Sequence, residues 1–272
     1  MLKCCIIIPV YKEKPDKNEL LSFKQGINIF KNYNISIVSP PINLEKYIEI
    51  LKINNSKYTI DTFENNFFNG LSGYNKLMTT KKFYKHYTKY KYILIYQLDA
   101  YVFKDELAYW CDKNYDYIGA PWFTEYGCHE SGNTLWKVGN GGFSLRKVQF
   151  FIDLLSKKRP VYGMRAIAER NYLSNNKSSI KRFILYILYA FGYKNNIKYF
   201  LKYNYKPEDI FYLDLLSNSL IKFNCPSPLE AIKFAFECSP QYLYELNNRQ
   251  LPFGCHAWDR YDFKFWEEFI QS

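Results

Sequence analysis

The sequence predicts an α/β domain whose central sheet is mixed but mostly parallel, Rossmann-like in its first half and flanked by helices. Three observations carry this. Short apolar runs end in turn residues, segments with helical apolar spacing separate them, and the most apolar run ends in a carboxylate. Residues 4–9 (CCIIIP) form a continuous apolar run closed by proline, as expected of a strand buried on both faces. Residues 18–30 have helical spacing. Residues 35–38 read as a second strand and 44–53 as a second helix, followed by a strand over 58–63 and a helix over 71–87. Residues 92–98 (YILIYQL) form the clearest strand. Alternation of this kind implies crossover units and a parallel sheet.

Beyond Asp99 the rhythm changes. Residues 116–121 (DYIGAP) read as a short strand, 135–146 as an alternating glycine-containing strand, and 148–155 as a helix. Further helices are expected over 208–216 and 228–236, with an aromatic-rich helix ending the chain. The stretch 170–206 is rich in Asn, Lys and Tyr and contains an apolar helix over 180–191. It reads as a helical insertion on a single domain spanning 1–272.

The 272 residues are enough for a full hydrophobic core, and 48% of them are hydrophobic, which excludes a disordered chain. The net charge of +11 does not make a nucleic-acid partner, because the lysines are scattered among aromatics rather than clustered. Abundant Lys, Asn, Ile, Tyr and Phe together are what AT-rich coding sequence yields. The seven cysteines show no CxxC pairing, so reduced, packed thiols are expected rather than disulfides or zinc. Residues 1–10 are too short for a signal peptide, and residues 183–191 fall short of the roughly 20 needed to span a bilayer. A cytoplasmic protein is expected, free or peripheral on the inner face of the cell membrane.

Four segments carry candidate chemistry. Asp99 ends a buried strand, where open parallel sheets bind ligands; it reads equally as a helix cap or a turn. VGNGGFSLR (138–146) places Gly139, Gly141 and Gly142 in a strand, which suits close approach of a ligand or a simple bulge. There Asn140 offers an amide to sugar hydroxyls. In KPEDIFY (206–212), Pro207, Glu208 and Asp209 make an ordinary helix start, or supply a general base. In LPFGCHAW (251–258), His256 is either a packed histidine or a metal ligand completing a site begun by Asp99.

In this order, the segments CCIIIPVY, GYNKLMTTKKFY, QLDAYVF, DYIGAPW, VGNGGFSLR, PEDIFY, AIKFAFE and LPFGCHAW resemble GT-A glycosyltransferases. More narrowly, they resemble a bacterial domain-of-unknown-function family of polysaccharide-cluster transferases. The resemblance covers most of the chain outside 170–206. It implies that Pro9, Val10 and Tyr11 hold the nucleotide, and that QLDAY stands at the Asp-x-Asp metal motif with Tyr101 in place of the second Asp. Donor contacts then fall to Asp99, Tyr101, Asn140, Gly141 and Gly142. A divalent metal, Mn2+ or Mg2+, would sit on Asp99 and His256, with Tyr101 leaving its coordination short by one carboxylate. Asp209 would be the base of an inverting hexosyl transfer and Glu208 would orient the acceptor, while Trp122 and Trp258 would stack on acceptor sugars. The partners implied are a nucleotide-sugar donor, UDP-linked by preference, and a glycan or lipid-linked glycan acceptor.

Two other readings remain at the sequence level. Tyr101 suits a nucleotide-sugar-binding protein that has lost catalysis. The basic aromatic segment 178–203 suits a membrane-surface binder.

Overall fold

A computed structural model describes residues 2–156, 159–169 and 179–270. The main sheet has six strands. They are β1 (Leu2–Pro9), β2 (Asn34–Ser39), β3 (Lys57–Thr62), β4 (Tyr90–Tyr96), and two that come later in the chain. Of the shorter strands, β5 (Ala100–Val102) follows directly on β4, and β6 (Tyr117–Ile118) precedes β7 (Pro121–Phe123) and β8 (Leu135–Val138). Then come β9 (Phe143–Lys147), β10 (Ala235–Phe236) and β11 (Gly254–His256). The main sheet runs β3-β2-β1-β4-β9-β6. Its first four strands are mutually parallel, and β9 lies antiparallel to both β4 and β6. A small sheet, β10-β11-β5, and the hairpin β7-β8 sit beyond it.

The continuous apolar runs follow from burial on both faces. Along β1, Cys4, Ile6 and Ile8 point into one core layer, while Cys5 and Ile7 point into the other. In β4, Tyr92, Leu94 and Tyr96 face the first layer and Ile93 and Ile95 the second. The first layer is covered by the helix Lys17–Ile29 through Phe23 and Ile27 and by Glu45–Ile53 through Tyr47 and Leu51. Asp16 and Glu19 start the former helix with a reciprocal capping box. Helices Lys81–His86, Val148–Ser156 and Glu208–Ser217 pack on the second layer. All seven cysteines are free.

Several sequence-based boundaries change, among them the helix expected over 228–236, which ends at Phe234 before β10, and the strand expected over 116–121, which is split between β6 and β7. The helix expected over 71–87 is two helices, Gly70–Met78 and Lys81–His86, because Thr80 is extended and its hydroxyl caps Phe83 N–H. The strand expected over 135–146 is two, β8 and β9, separated where Asn140 turns left-handed at φ 71°. The final helix is a single turn, Phe263–Trp266. The insertion has its expected helix, Ser179–Ala190, while its portion 170–178 lies outside the described residues.

Sheet order fixes where a ligand goes. From β1 the chain steps outward to β2 and β3, then returns to lay β4 on the other side of β1. The crevice past the carboxyl ends of β1 and β4 is the switch point at which open α/β sheets bind ligands.

Candidate active site

A cleft of about 550 Å³ lies at that switch point. Pro9 and Tyr11 enter from β1, and Gln97, Leu98 and Asp99 from the turn after β4. Phe67, Phe68, Leu71 and Tyr74 form an apolar wall, and Arg260 and Asp259 close the mouth. Tyr11 is well exposed, as a stacking ring for a base or ribose must be. Val10, by contrast, is buried, and its N–H is spent on Val38 O of β2.

An ion cluster runs inward from Asp99 and Arg260 of the cleft lining. Asp99 Oδ1 lies 3.2 Å from His256 Nε2, and Arg260 Nη2 donates to Asp99 Oδ2. On its other side, His256 Nδ1 lies 3.0 Å from Glu237 Oε1. Burial alone would raise the Asp99 pKa, but His256 and Arg260 overcome it and hold the carboxyl at about 2. Burial opposes charge on His256, yet Asp99 and Glu237 carry its pKa to about 10. The ring is therefore an imidazolium that donates from both nitrogens. Asn140 Nδ2, 2.9 Å from Nδ1, packs beside a nitrogen whose proton goes to Glu237.

This donor set does not fit a metal centre. A ligating histidine must be neutral, and here both ring nitrogens point at carboxylates while each Asp99 oxygen already faces a cation. Among the described residues no group of three His, Cys, Asp or Glu is arranged to hold an ion. The Asp99–His256 pairing expected of a metal site is instead an ion pair.

The entrance to β9 positions both sides of the site. A β-carbon on Gly142 would meet His256 Nε2 at 2.0 Å and Gln97 Oε1 at 2.7 Å; one on Gly141 would meet Glu208 Oε1 at 2.6 Å. Glycine at each position is thus a space requirement. Asn140 takes the left-handed turn, which asparagine tolerates, and its Oδ1 accepts from Gly142 N and Phe143 N at 2.9 and 3.2 Å. That amide is buried and internally engaged, so it does not offer itself to sugar hydroxyls as the sequence suggested.

Asp209 sits at the start of helix Glu208–Ser217 and accepts Gly141 N–H at 2.8 Å. Burial raises its pKa, while Ile210 and Gly141 amides pull it down and Glu237 adds a further upward push. Its neighbour Glu208 also reaches Gly141 and is buried. It pairs with Arg146 in a fork, 2.7 Å from Nη2 and 3.2 Å from Nη1. Arg146 also donates to Ser144 Oγ, Tyr84 Oη and Gly141 O. Burial pushes the Glu208 carboxyl up against the pull of Arg146, and the bidentate geometry together with the three further hydrogen bonds of the guanidinium keeps the pair ionised. Glu208 is therefore engaged with Arg146 rather than free to orient an acceptor as expected.

Three other expected contacts move into the core. Trp122 is buried against Gly139, whose β-carbon would touch the indole at 2.2 Å. Trp258 is buried and stacks on Phe263. Tyr101, two residues after Asp99, belongs to the third core cluster with Trp258 and Trp266; it sits on the face of β5 opposite Ala100 and Val102, whereas Asp99 lies in the turn before the strand. The residue facing the cleft with Asp99 is Gln97, two positions before it, with Oε1 3.3 Å from His256 Nε2. Gln97, Glu237, Arg260 and Arg146 were not singled out from sequence as site residues. The one available signal was Arg146 itself, a cation that alternation puts on a buried position of β9.

Comparison of folds agrees with this architecture. Glycosyltransferase GlyE of Streptococcus pneumoniae TIGR4 superposes with a TM-score of 0.52 at 10% identity, covering 99% of this chain and 60% of its own. The chain thus spans about three fifths of GlyE. A glycosyltransferase involved in glycosylating the major capsid of PBCV-1 gives 0.45 at 10% identity, covering 99% and 100%. Core-mannan synthase A of Aspergillus fumigatus, in a Mn/GDP form, gives 0.43 at 10% identity, covering 79% and 70%. The fold is that of GT-A glycosyltransferases. No curated protein matches the sequence. Residues 57–256, which run from β3 to the histidine of the ion cluster, match the family described as protein of unknown function (DUF5672), and the chain belongs to that family.

Proposed function

We propose that the protein transfers a sugar from a nucleoside-diphosphate donor, UDP-linked by preference, to a hydroxyl of a glycan or lipid-linked glycan, with inversion at the anomeric carbon. The observation that supports this most is the backbone bridge Gly141–Gly142. It carries Asp209 on one side and abuts His256 of the ion cluster on the other. A candidate base and the ion cluster of Asp99, His256, Glu237 and Arg260 are thereby held on either side of one short stretch of backbone.

In this reading the base and ribose lie between Tyr11, Pro9 and the Phe67–Phe68 wall. The diphosphate turns toward Arg260 and the His256 imidazolium. Asp209 accepts the proton of the acceptor hydroxyl as its oxygen attacks the anomeric carbon. The bond from that carbon to the diphosphate breaks, and its electron pair leaves with the nucleoside diphosphate. Arg260 and His256 stabilise the charge that develops there, and Asp99 holds both cations in place. No step passes through a metal.

The test is calorimetric titration with UDP and other nucleoside diphosphates, followed by transfer assays from the sugar nucleotides that bind. Binding with turnover supports the proposal. Binding without turnover reduces the protein to a nucleotide-sugar binder, and absence of binding by every nucleotide discards the reading.

A further inference from the structure

An amphipathic helix in a globular protein normally turns its apolar stripe to the core. Ser179–Ala190 does the opposite. Ile180, Phe183, Ile184, Ile187 and Leu188, continued by Phe191 just past its end, follow the i, i+3, i+4, i+7 spacing of one helix face. All six are between 41% and 83% exposed. The other side of the helix meets the protein through Tyr189, which is buried, and through Leu185, packed against the second core layer. A contiguous outward apolar stripe of this kind marks an interaction surface.

The surroundings say what covers it. The sequence holds no Asp or Glu between Glu169 and Glu208. Exposed Lys181, Lys194, Lys198 and Lys202 accompany the stripe, as do exposed Tyr193, Tyr203 and Tyr205. Lys194 and Lys202 lie alongside the rings of Tyr193 and Tyr203, at 5.5 and 5.4 Å from their centroids. Apolar side chains on one face, with lysines and tyrosines beside them, suit the boundary between acyl chains and anionic headgroups. No described helix is long and apolar enough to cross a membrane, so an attached element would lie in the plane of the surface.

We propose that this face docks the protein on an anionic lipid bilayer, with the helix Ser179–Ala190 lying in the interface and the following lysines on the headgroups. The proposal stands apart from the catalytic reading and survives its failure.

The experiment is flotation of the full chain with vesicles of phosphatidylcholine alone and of phosphatidylcholine mixed with phosphatidylglycerol. The expected result is binding to the anionic vesicles only, weakened by salt. Two variants separate the contributions, Phe183→Asp with Phe191→Asp, and Lys194→Glu with Lys198→Glu and Lys202→Glu. Each should lower vesicle affinity by roughly tenfold or more, the first by setting charge into the apolar stripe and the second by reversing charge that faces the headgroups. Unchanged thermal melting shows that both variants remain folded. Failure of the parent protein to float overturns the proposal, as does flotation that neither variant alters. A concentration-dependent dimer that Phe183→Asp with Phe191→Asp dissolves, without vesicle binding by the parent, also overturns it and assigns the face to a second copy.

Discussion

A β-carbon on Gly142 would stand 2.0 Å from Nε2 of His256, so the entrance to β9 and the imidazole share space that only glycine leaves open. Gly142→Ala must push the ring off Asp99 or bend the strand. Overpacking of this kind costs about 1–3 kcal/mol. The expected outcome is a small fall in Tm together with a clear loss of UDP affinity by calorimetry. Unaltered affinity would show that His256 is not part of the nucleotide site.

Asp209→Asn keeps the shape of the side chain and removes the base. Sugar transfer should fall by roughly 100- to 10,000-fold, the usual worth of general-base catalysis, while UDP binding persists. Near-normal turnover in the variant sinks the assignment.

The pH dependence of the parent enzyme provides an independent check. A base works when deprotonated, so activity is lost as pH falls through its pKa. Burial raises the Asp209 pKa, which places the acid limb of kcat/KM above the ordinary aspartate value of about 3.9. A limb at or below that value contradicts the buried-base geometry.

Arg260 is largely exposed apart from its contact with Asp99, so removing it leaves the core intact. Arg260→Ala should weaken UDP binding by about tenfold to a hundredfold, the range for a hydrogen bond to a charged group, at almost constant Tm. In the metal-free reading Arg260 and His256 meet the diphosphate without an ion, so the same titration in EDTA and in manganese should give equal affinities. An increase in affinity with manganese would return the site to metal chemistry.

Glu208→Ala leaves the Arg146 guanidinium buried without its counter-charge, a change that costs about 3–5 kcal/mol. At this chain length that corresponds to a Tm loss of roughly 10 °C, readable by calorimetric melting. A variant that melts like the parent would mean Arg146 finds another partner.

What was legible in the sequence follows from how local each signal is. β1 and β4 were readable because burial on both faces writes a continuous apolar run. The glycines of 139–142 announced a close approach but not to what, since the neighbours are Trp122, Glu208 and His256 from distant segments. Asp209 stood out through its helix start. Its inward partner Glu208 looked equivalent, because consecutive helical residues differ only in direction. Glu237 was invisible as a site residue: the parallel pairing of β10 with β11 brings it beside His256. Trp122 and Trp258 were misplaced because a ring suited to stacking on sugar is equally suited to a core. Tyr101 was paired with Asp99 by spacing alone, but Asp99 lies in the turn before β5 while Tyr101 is in the strand and packs into the third core cluster.

The three residues Asn140, Gly141 and Gly142 leave almost no adjustable side chain between Asp209 and the ion cluster. The separation of the two half-sites is therefore set by main-chain length, like the fixed jaw of a gauge. Exchanging side chains around the cleft can alter which sugar or base is preferred. Widening the gap for a bulkier reacting centre would require a residue to be inserted or removed at the entrance to β9.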